Sequence, residues 1–366
     1  MLTRYRKYLE FAALLLLAIG IVWWFGRRLD WHLVGSSIAA SDWRLILMGG
    51  MVVLAGYVWR AVRWQAFLAP LAQARLRDIW IATTVGYGAV LLIGRMGEIV
   101  RPLVLPMRDP RVRPGASFVT IFIERLYDSI TVLTLFAVSL MLFAPTNAAS
   151  TELTRARQIG FGLVGVLFVM LALLIWFKAR SSAVIGWVDH RFRPGSHLIN
   201  RFKRGLLGLM EQMVTALRVL ANWRELGVTI GWSILLWLSV AAGNLLVMRA
   251  FGLQLGLPHV LFVLGWSMIG SAVPTPGGGA GAFHAITAAA LVLLGVPREQ
   301  AAAVAIVLHL VDFAPAALFG FYYFLRGEIR PQQLRSLLSA GTADFDAEEK
   351  RKSATRNSLK VAAANK

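Results

Sequence analysis

Residues 274–279 read PTPGGG and residues 94–102 read GRMGEIVRP, and each stretch interrupts a long apolar segment. The two segments cover residues 79–105 and 259–294, one in each half of the chain. Inside a bilayer every backbone N–H and C=O needs a partner, so unwound backbone is tolerated there only within protein or beside a wet cavity. A matched pair of interrupted segments is the best sequence indicator of a transporter's binding site.

The composition places the chain in a membrane. Of its 366 residues 57% are hydrophobic and 16% are charged, and the mean hydropathy is +0.63. A soluble domain carries about a quarter charged residues. Six apolar segments are long enough to span a bilayer: 9–25, 45–67, 118–143, 159–177, 226–248 and 301–325. We interpret the first as a retained anchor, and we expect Arg60 and Arg63 in the second to reach the headgroups.

The formal net charge of +19 is explained by basic cytoplasmic loops and not by nucleic-acid binding. Cytoplasmic loops of membrane proteins collect Lys and Arg. Here 29 of these residues fall before the first segment, in 60–78, 101–113 and 178–224, and from 326 onwards, against 6 in the alternate loops. Both termini are therefore predicted to be cytoplasmic. Because the chain has no cysteine and no close set of metal ligands, we expect no metal and no cofactor.

This topology makes the two interrupted segments hairpins that enter from opposite faces, which is typical of an inverted repeat. The spans that follow them carry Asp128 and Asp312 at similar depths, although any two long apolar segments share some likeness. We predict an all-α polytopic protein with about six spanning helices and two hairpins over residues 1–330. An amphipathic helix at 196–224 is expected on the cytoplasmic side, followed by a disordered tail at 331–366.

Charged residues at membrane depth are costly, so each is a functional candidate. Arg95, Glu98 and Arg101 recur every third residue and would share one side of a helix, where arginine can grip a phosphate or carboxylate with two hydrogen bonds. The alternative is that they end a short helix at the interface. A second cluster, Glu124 with Arg125 and Asp128, either completes this site or joins helices together.

The second half offers a histidine pair and a glycine turn. His309 and Asp312 lie one helical turn apart, so the carboxylate could orient an imidazole that titrates near neutral pH and couples transport to protons. His284 is a further coupling candidate, although a lone histidine in an apolar helix is more often structural. A helix that begins near residue 280 would aim its N–H groups at the turn and form an anion seat; the alternative is a tight external loop. The turn residues are Pro274, Pro276, Gly277, Gly278 and Gly279.

Three ordered motifs resemble the flippase-like membrane family named after the transmembrane domain of lysylphosphatidylglycerol synthase, which includes hopanoid-associated and archaeal dolichol-pathway relatives. The motifs are GRMGEIVR at 94–101, ERLYD at 124–128 and PTPGGGAG at 274–281. The resemblance covers residues 10–326 and implies the translocation unit without the lipid-synthesising domain. Two positions depart from the family pattern, since Ile93 stands where proline is common and His284 stands near a usual glutamate.

We therefore predict a flippase without ATP hydrolysis, in the inner or cytoplasmic membrane. Its substrate would be an anionic or phosphate-bearing lipid: a phospholipid, a polyprenyl-phosphate-linked lipid or a hopanoid lipid. Arg95, Arg101 and the glycine turn would hold the headgroup, while the carboxylates balance charge or bind a coupling proton. We expect no enzymatic activity, because no nucleophile has an adjacent base. Two alternatives stay open: a transporter of a small solute, and a scaffold for partner proteins of lipid or polysaccharide synthesis.

Overall fold

The structure is a computed structural model that describes residues 25–142, 179–191, 223–273 and 275–328, with single positions at 20 and 23, between 154 and 176, and at 207, 210 and 214. Every regular element in these residues is helical, which confirms the predicted all-α architecture. The expected spans at 9–25 and 159–177, the amphipathic helix at 196–224 and the tail at 331–366 lie largely outside the described residues.

Ten α-helices and one 3₁₀ turn make up the described part of the chain. They are α1 (Trp31–Ala39), α2 (Trp43–Leu68), α3 (Leu76–Ile93), the 3₁₀ turn (Gly94–Ile99), α4 (Val100–Arg108), α5 (Pro114–Leu142), α6 (Ser181–Arg191), α7 (Trp223–Ala250), α8 (Leu257–Ala272), α9 (Pro276–Leu293) and α10 (Arg298–Leu325). Four of them are long and apolar enough to cross a membrane: α2, α5, residues 227–250 of α7, and α10. They confirm four of the six predicted spans.

The first interrupted segment is a hairpin, named hairpin 1, formed by α3, the 3₁₀ turn and α4. Helix α3 ends where Gly94 adopts a positive φ of 66°, a conformation that side chains with a Cβ disfavour. The turn then folds back so closely that a Cβ on Gly97 would overlap the backbone of Ala89 and Val90. The two arms stay in contact further along, where Gly86 faces Arg101.

The second interrupted segment is also a hairpin, named hairpin 2, formed by α8 and α9. Gly277, Gly278 and Gly279 have φ values of 75°, 67° and 85°, so three consecutive left-handed residues open α9. The arms then pack closely where Gly270 meets the backbone of Phe283. The 3₁₀ turn of hairpin 1 contacts α9, so the tips of the two hairpins meet.

The two halves of the chain repeat the same contacts. Helices α2 to α5 correspond in order to α7 to α10: α3 packs on α10 as α8 packs on α5, and α2 packs on α10 as α7 packs on α5. The equivalent helices α2 and α7 also contact each other, and they run antiparallel. Gly49 faces Gly243, whereas Trp59, further along α2, stacks on Trp232 at 5.5 Å between ring centroids. Equivalent helices with opposite directions are the arrangement of an inverted repeat.

Ion pairs hold the base of hairpin 1 to the end of α10. Arg108 at the end of α4 donates to Asp78 at the start of α3 at 2.8 Å and to the Glu328 carboxylate at 2.7 Å. Since Arg108 donates to it, the pKa of the Glu328 carboxyl is lowered. Each hairpin packs against a span of the opposite half: hairpin 1 against α10 and hairpin 2 against α5. The ion pair of Arg108 with Glu328 also holds the base of hairpin 1 to the end of α10.

Substitutions at two neighbouring glycines of α2 test how closely α2 and α7 approach each other. A Cβ on Gly49 would stand 3.0 Å from the carbonyl oxygen of Gly243, whereas a Cβ on Gly50 would meet nothing within 4 Å. We expect Gly49→Val to destabilise the protein by about 1–3 kcal/mol, because the helices must separate. Thermal unfolding in detergent measures this, with Gly50→Val as the control. Equal unfolding temperatures for the two variants would contradict the tight helix crossing.

Candidate functional site

A cavity of ≈ 380 Å³ lies between the two halves of the molecule. Its polar end is lined by Tyr57, Arg60, Tyr87, Glu98, Arg125, Asp128 and Asp312, and Gly278 of the hairpin 2 tip also reaches it. Its remaining wall is largely apolar and includes Val53, Val90, Val132, Leu133, Leu236, Val240, Met268 and Ile269. Because its lining is polar at one end and apolar elsewhere, the cavity is amphipathic. Glu98 and Gly278 show that the tips of both hairpins reach it.

The fully buried Glu124 is the centre of the charged cluster beside this cavity. Arg101 of hairpin 1 grips its carboxylate through two hydrogen bonds of 2.7 and 2.9 Å. Arg125 donates to the same carboxylate at 3.1 Å, and Arg63 lies 3.5 Å from it. A buried carboxylate is costly unless it is paired and hydrogen-bonded, and here it meets both conditions.

Asp128 is the second buried carboxylate, one helical turn along α5. Arg63 donates to Oδ1 at 2.7 Å and Arg60 donates to Oδ2 at 3.3 Å. The indole N–H of Trp237 adds a bond of 3.2 Å from α7, and Arg125 lies 3.4 Å from Oδ2. This carboxylate therefore links α2, α5 and α7.

Aromatic and hydroxyl groups complete the cluster. The Tyr87 hydroxyl on α3 accepts from Arg60, and from Arg125 at 2.7 Å. The guanidinium of Arg101 stacks over Trp64, 4.1 Å from the ring centroid, where a cation–π attraction adds to its pairing with the carboxylate. Arg63 also donates to Ser233 at 2.9 Å. These groups fix the guanidiniums in place before any ligand arrives.

The expectation that Arg60 and Arg63 reach the headgroups is wrong. Their residues are 7% and 0% exposed, and both turn inward to Asp128. The physical reason is charge balance: the ERLYD motif carries two carboxylates against one guanidinium, so it needs cations from other helices. Two arginines three residues apart in an apolar helix, beside an anionic motif elsewhere, were the sequence signal for this pairing.

Hairpin 1 contributes its predicted residues unequally. Arg101 is 3% exposed and holds Glu124, so it neither ends a helix at the interface nor lines the main cavity. It borders a small side pocket together with Glu98 and Arg125. Glu98 itself is partly exposed at the cavity, 3.9 Å from Arg125. Arg95 lies in the 3₁₀ turn, and its side chain lies outside what the structure describes.

In the described structure, Asp312 does not pair with His309 as the sequence predicted. Tyr57 donates to the backbone carbonyl of Asp312 at 2.7 Å, and the Asn244 amide of α7 lies against the Asp312 carboxylate, to which it donates at 3.1 Å when its nitrogen faces that carboxylate. His309 instead lies edge-to-face against His284, with 4.8 Å between ring centroids. The structure thus brings Asp312 to the cavity and places the two imidazoles against each other beside it.

The glycine turn is brought to the cavity by Gly278, which lies beside Phe313 and His309. Pro276 begins α9, while Pro274 falls outside the described residues. Gly277 and Gly279 complete the turn but are not among the lining residues. Sequence reasoning missed the polar groups of α2, α3 and α7 at the site: Tyr57, Tyr87, Trp237 and Asn244. Asn244 interrupts an otherwise apolar run, and that was its detectable signal.

Within the residues that the structure describes, no three His, Asp or Glu side chains come together as a group that could hold a metal ion. The chemistry of the site is that of guanidinium, carboxylate and phenol groups at the end of an apolar cavity. Such a site can bind and neutralise an anion, and it can exchange protons at a carboxylate.

Comparison with known proteins agrees with the helical architecture. The family described as "Lysylphosphatidylglycerol synthase TM region" matches residues 11–320. A UPF0104 membrane protein of Methanothermobacter thermautotrophicus (strain Delta H) is 23% identical over 338 residues, which cover 88% of this chain and 95% of that protein. The residues that match the family include those of both hairpins.

Replacing one buried partner tests whether the cluster supports the fold. We expect Glu124→Gln to destabilise the protein by about 3–5 kcal/mol, because Arg101 would stay buried without the carboxylate that pairs with it. The same change at the partly exposed Glu98 should alter stability by less than about 1 kcal/mol. Thermal unfolding in detergent compares the two variants. A Glu124→Gln variant as stable as Glu98→Gln would contradict the structural role of the cluster.

Proposed function

This chain belongs to the family of the lysylphosphatidylglycerol synthase transmembrane region, and on that premise we propose that it moves an anionic or phosphate-bearing lipid between leaflets without ATP hydrolysis. The observation that supports this most is the cavity between the repeats, with guanidiniums at one end and apolar walls along the rest. A lipid headgroup with its acyl chain or polyprenyl chain has the same division into a charged and an apolar part.

The charged end of the cavity suits a phosphate. Arg60 and Arg125 line it, and the Arg125 side chain is 31% exposed. Arginine binds phosphate through several N–H groups at once, so the accessible part of this side chain would meet an entering phosphate.

The apolar wall favours a lipid over a small soluble solute. Ser129 on α5 and Ala272 on α8 both line the cavity and are exposed, so the cavity is accessible where these two helices face each other. A lipid could keep its chain outside the protein at such an opening while its headgroup enters. A solute transporter would instead need a chamber sealed from the lipid phase.

The inverted repeat supplies a way to move the headgroup. Each hairpin packs on a span of the opposite half, so rocking one half against the other would expose the cavity to each leaflet in turn. The proposal includes cytoplasmic termini, residence in the inner or cytoplasmic membrane, and no enzymatic activity. The scaffold alternative rests on residues 196–224, and it predicts that the protein moves no lipid by itself.

A cavity-filling substitution tests the proposal. The purified protein is reconstituted in vesicles that contain labelled phosphatidylglycerol, phosphatidylethanolamine or polyprenyl phosphate, and leaflet exchange is followed with a membrane-impermeant quencher. We expect exchange of an anionic lipid well above protein-free vesicles. Leu133→Trp should slow this exchange at least about ten-fold, since the indole fills the apolar part of the cavity that the chain would occupy.

Val138→Trp is the matched control. Val138 lies on the same helix and is exposed, but it does not line the cavity, so this variant should exchange lipid at the wild-type rate. Equal rates for the two tryptophan variants would mean that the lipid does not pass through this cavity. If none of the three lipids moves faster than in protein-free vesicles, the proposed function fails and the scaffold alternative gains.

A further inference from the structure

We infer that Asp312 takes up one proton when an anionic headgroup enters the cavity, so that the lipid and the proton cross the membrane together. This inference rests on the proposed function and names the group that couples it to protons. It comes from the difference between the partners of Asp312 and those of the other carboxylates around the cavity.

Protonation of Glu124 or Asp128 is energetically unfavourable. Each lies within 4 Å of at least three guanidinium groups, and protonating either would leave buried arginines without counter-charge. Asp312 is different, because its carboxylate makes no ion pair within the described structure and lies against the neutral amide of Asn244, which donates to it when the amide nitrogen faces the carboxylate. A proton on Asp312 therefore disrupts no salt bridge.

The charge balance of the described side chains favours such a group. Among the side chains that the structure describes, four guanidiniums surround the cavity or its cluster: Arg60, Arg63, Arg101 and Arg125. They meet four carboxylates: Glu98, Glu124, Asp128 and Asp312. A monoanionic headgroup would leave these described side chains with one uncompensated negative charge, which is unfavourable at membrane depth. One proton on Asp312 cancels that charge.

The titratable groups around the cavity favour Asp312 as the group that takes up the proton. The cavity that Asp312 lines also presents Tyr57 and Arg60 from α2, Tyr87 from α3, Glu98 from hairpin 1, and Arg125 and Asp128 from α5, while His309 lies on the same helix as Asp312. The imidazoles of His284 and His309 are packed against Phe283 and do not line the cavity. Two carboxylates line the cavity besides Asp128: Glu98, which lies 3.9 Å from Arg125, and Asp312, which makes no ion pair among the described residues.

The proton balance is simple. A proton from water on the side of entry converts the carboxylate into a carboxylic acid, and the lipid anion enters at the same time. After the halves rock, both leave on the other side and the carboxylate returns. One negative and one positive charge cross together, so the cycle is electroneutral and needs no other co-reactant.

A pH gradient across vesicles tests the inference. The protein is reconstituted in vesicles that contain labelled phosphatidylglycerol or labelled polyprenyl phosphate, with a pH-sensitive dye trapped inside. Potassium and valinomycin hold the membrane potential at zero. With one proton per lipid, a gradient of one pH unit should shift the leaflet ratio of the transported lipid about ten-fold. The dye should report matching proton entry, and protein-free vesicles show neither effect.

Asp312→Asn mimics the protonated carboxyl and removes the exchangeable proton. We expect it to keep moving lipid but to hold the leaflet ratio near one under the same gradient, with no proton signal. Glu299→Gln, a change on the same helix outside the cavity lining, should behave as the wild type. Accumulation and proton entry by Asp312→Asn at the wild-type level would overturn the inference.

Asn244→Leu provides a second readout if Asp312→Asn fails to fold. It removes the donor that stabilises the charged carboxylate, so the pH at which transport is half-maximal should rise. A purely structural role of Asn244 would lower the rate without moving this midpoint. Wild-type protein that moves an anionic lipid without proton entry would overturn the inference and leave the proposed function standing; no lipid movement at all would defeat the proposed function itself.

Discussion

The pairing of buried guanidiniums with Glu124 and Asp128 is the interaction on which the described structure depends. Arg60 and Arg63 come from α2, Arg101 from hairpin 1 and Arg125 from α5, so these pairs join the helices of the first half. A charge at membrane depth is tolerated only with a partner, and so the helices that carry the partners are held together. The same requirement concentrates charge at one end of the cavity, where an anionic ligand would meet it.

Backbone conformation decides where this cluster sits. The left-handed glycine turn of hairpin 2 and the 3₁₀ turn of hairpin 1 end two helices inside the molecule. Their tips meet, so polar groups of both halves reach one cavity. The antiparallel packing of α2 on α7 relates the halves, and glycines such as Gly49 let these helices approach closely. Charge and glycine therefore act together, since the turns place the side chains and the ion pairs hold the turns in place.

The site could be predicted only in part. Glu98, Glu124, Arg125, Asp128, Asp312 and the glycine turn were recognisable because charge and glycine are rare in apolar segments. Arg60 and Arg63 were misplaced, because a position near the end of an apolar run is equally compatible with the headgroup region. The predicted pairing of His309 with Asp312 followed from their spacing on one helix. The structure turned each side chain to a different neighbour, and such cross-helix choices leave no periodic pattern in the sequence.

The sequence by itself determined the membrane class, the four described spans, the two interrupted hairpins and the family, because apolar length, glycine runs and local motifs are properties of contiguous residues. Only the tertiary structure decided which arginine meets which carboxylate, that Asp312 faces Asn244 rather than His309, and that the hairpin tips share one cavity. The physical reason is that these contacts join residues far apart in the chain. Their geometry depends on how the two halves pack against each other.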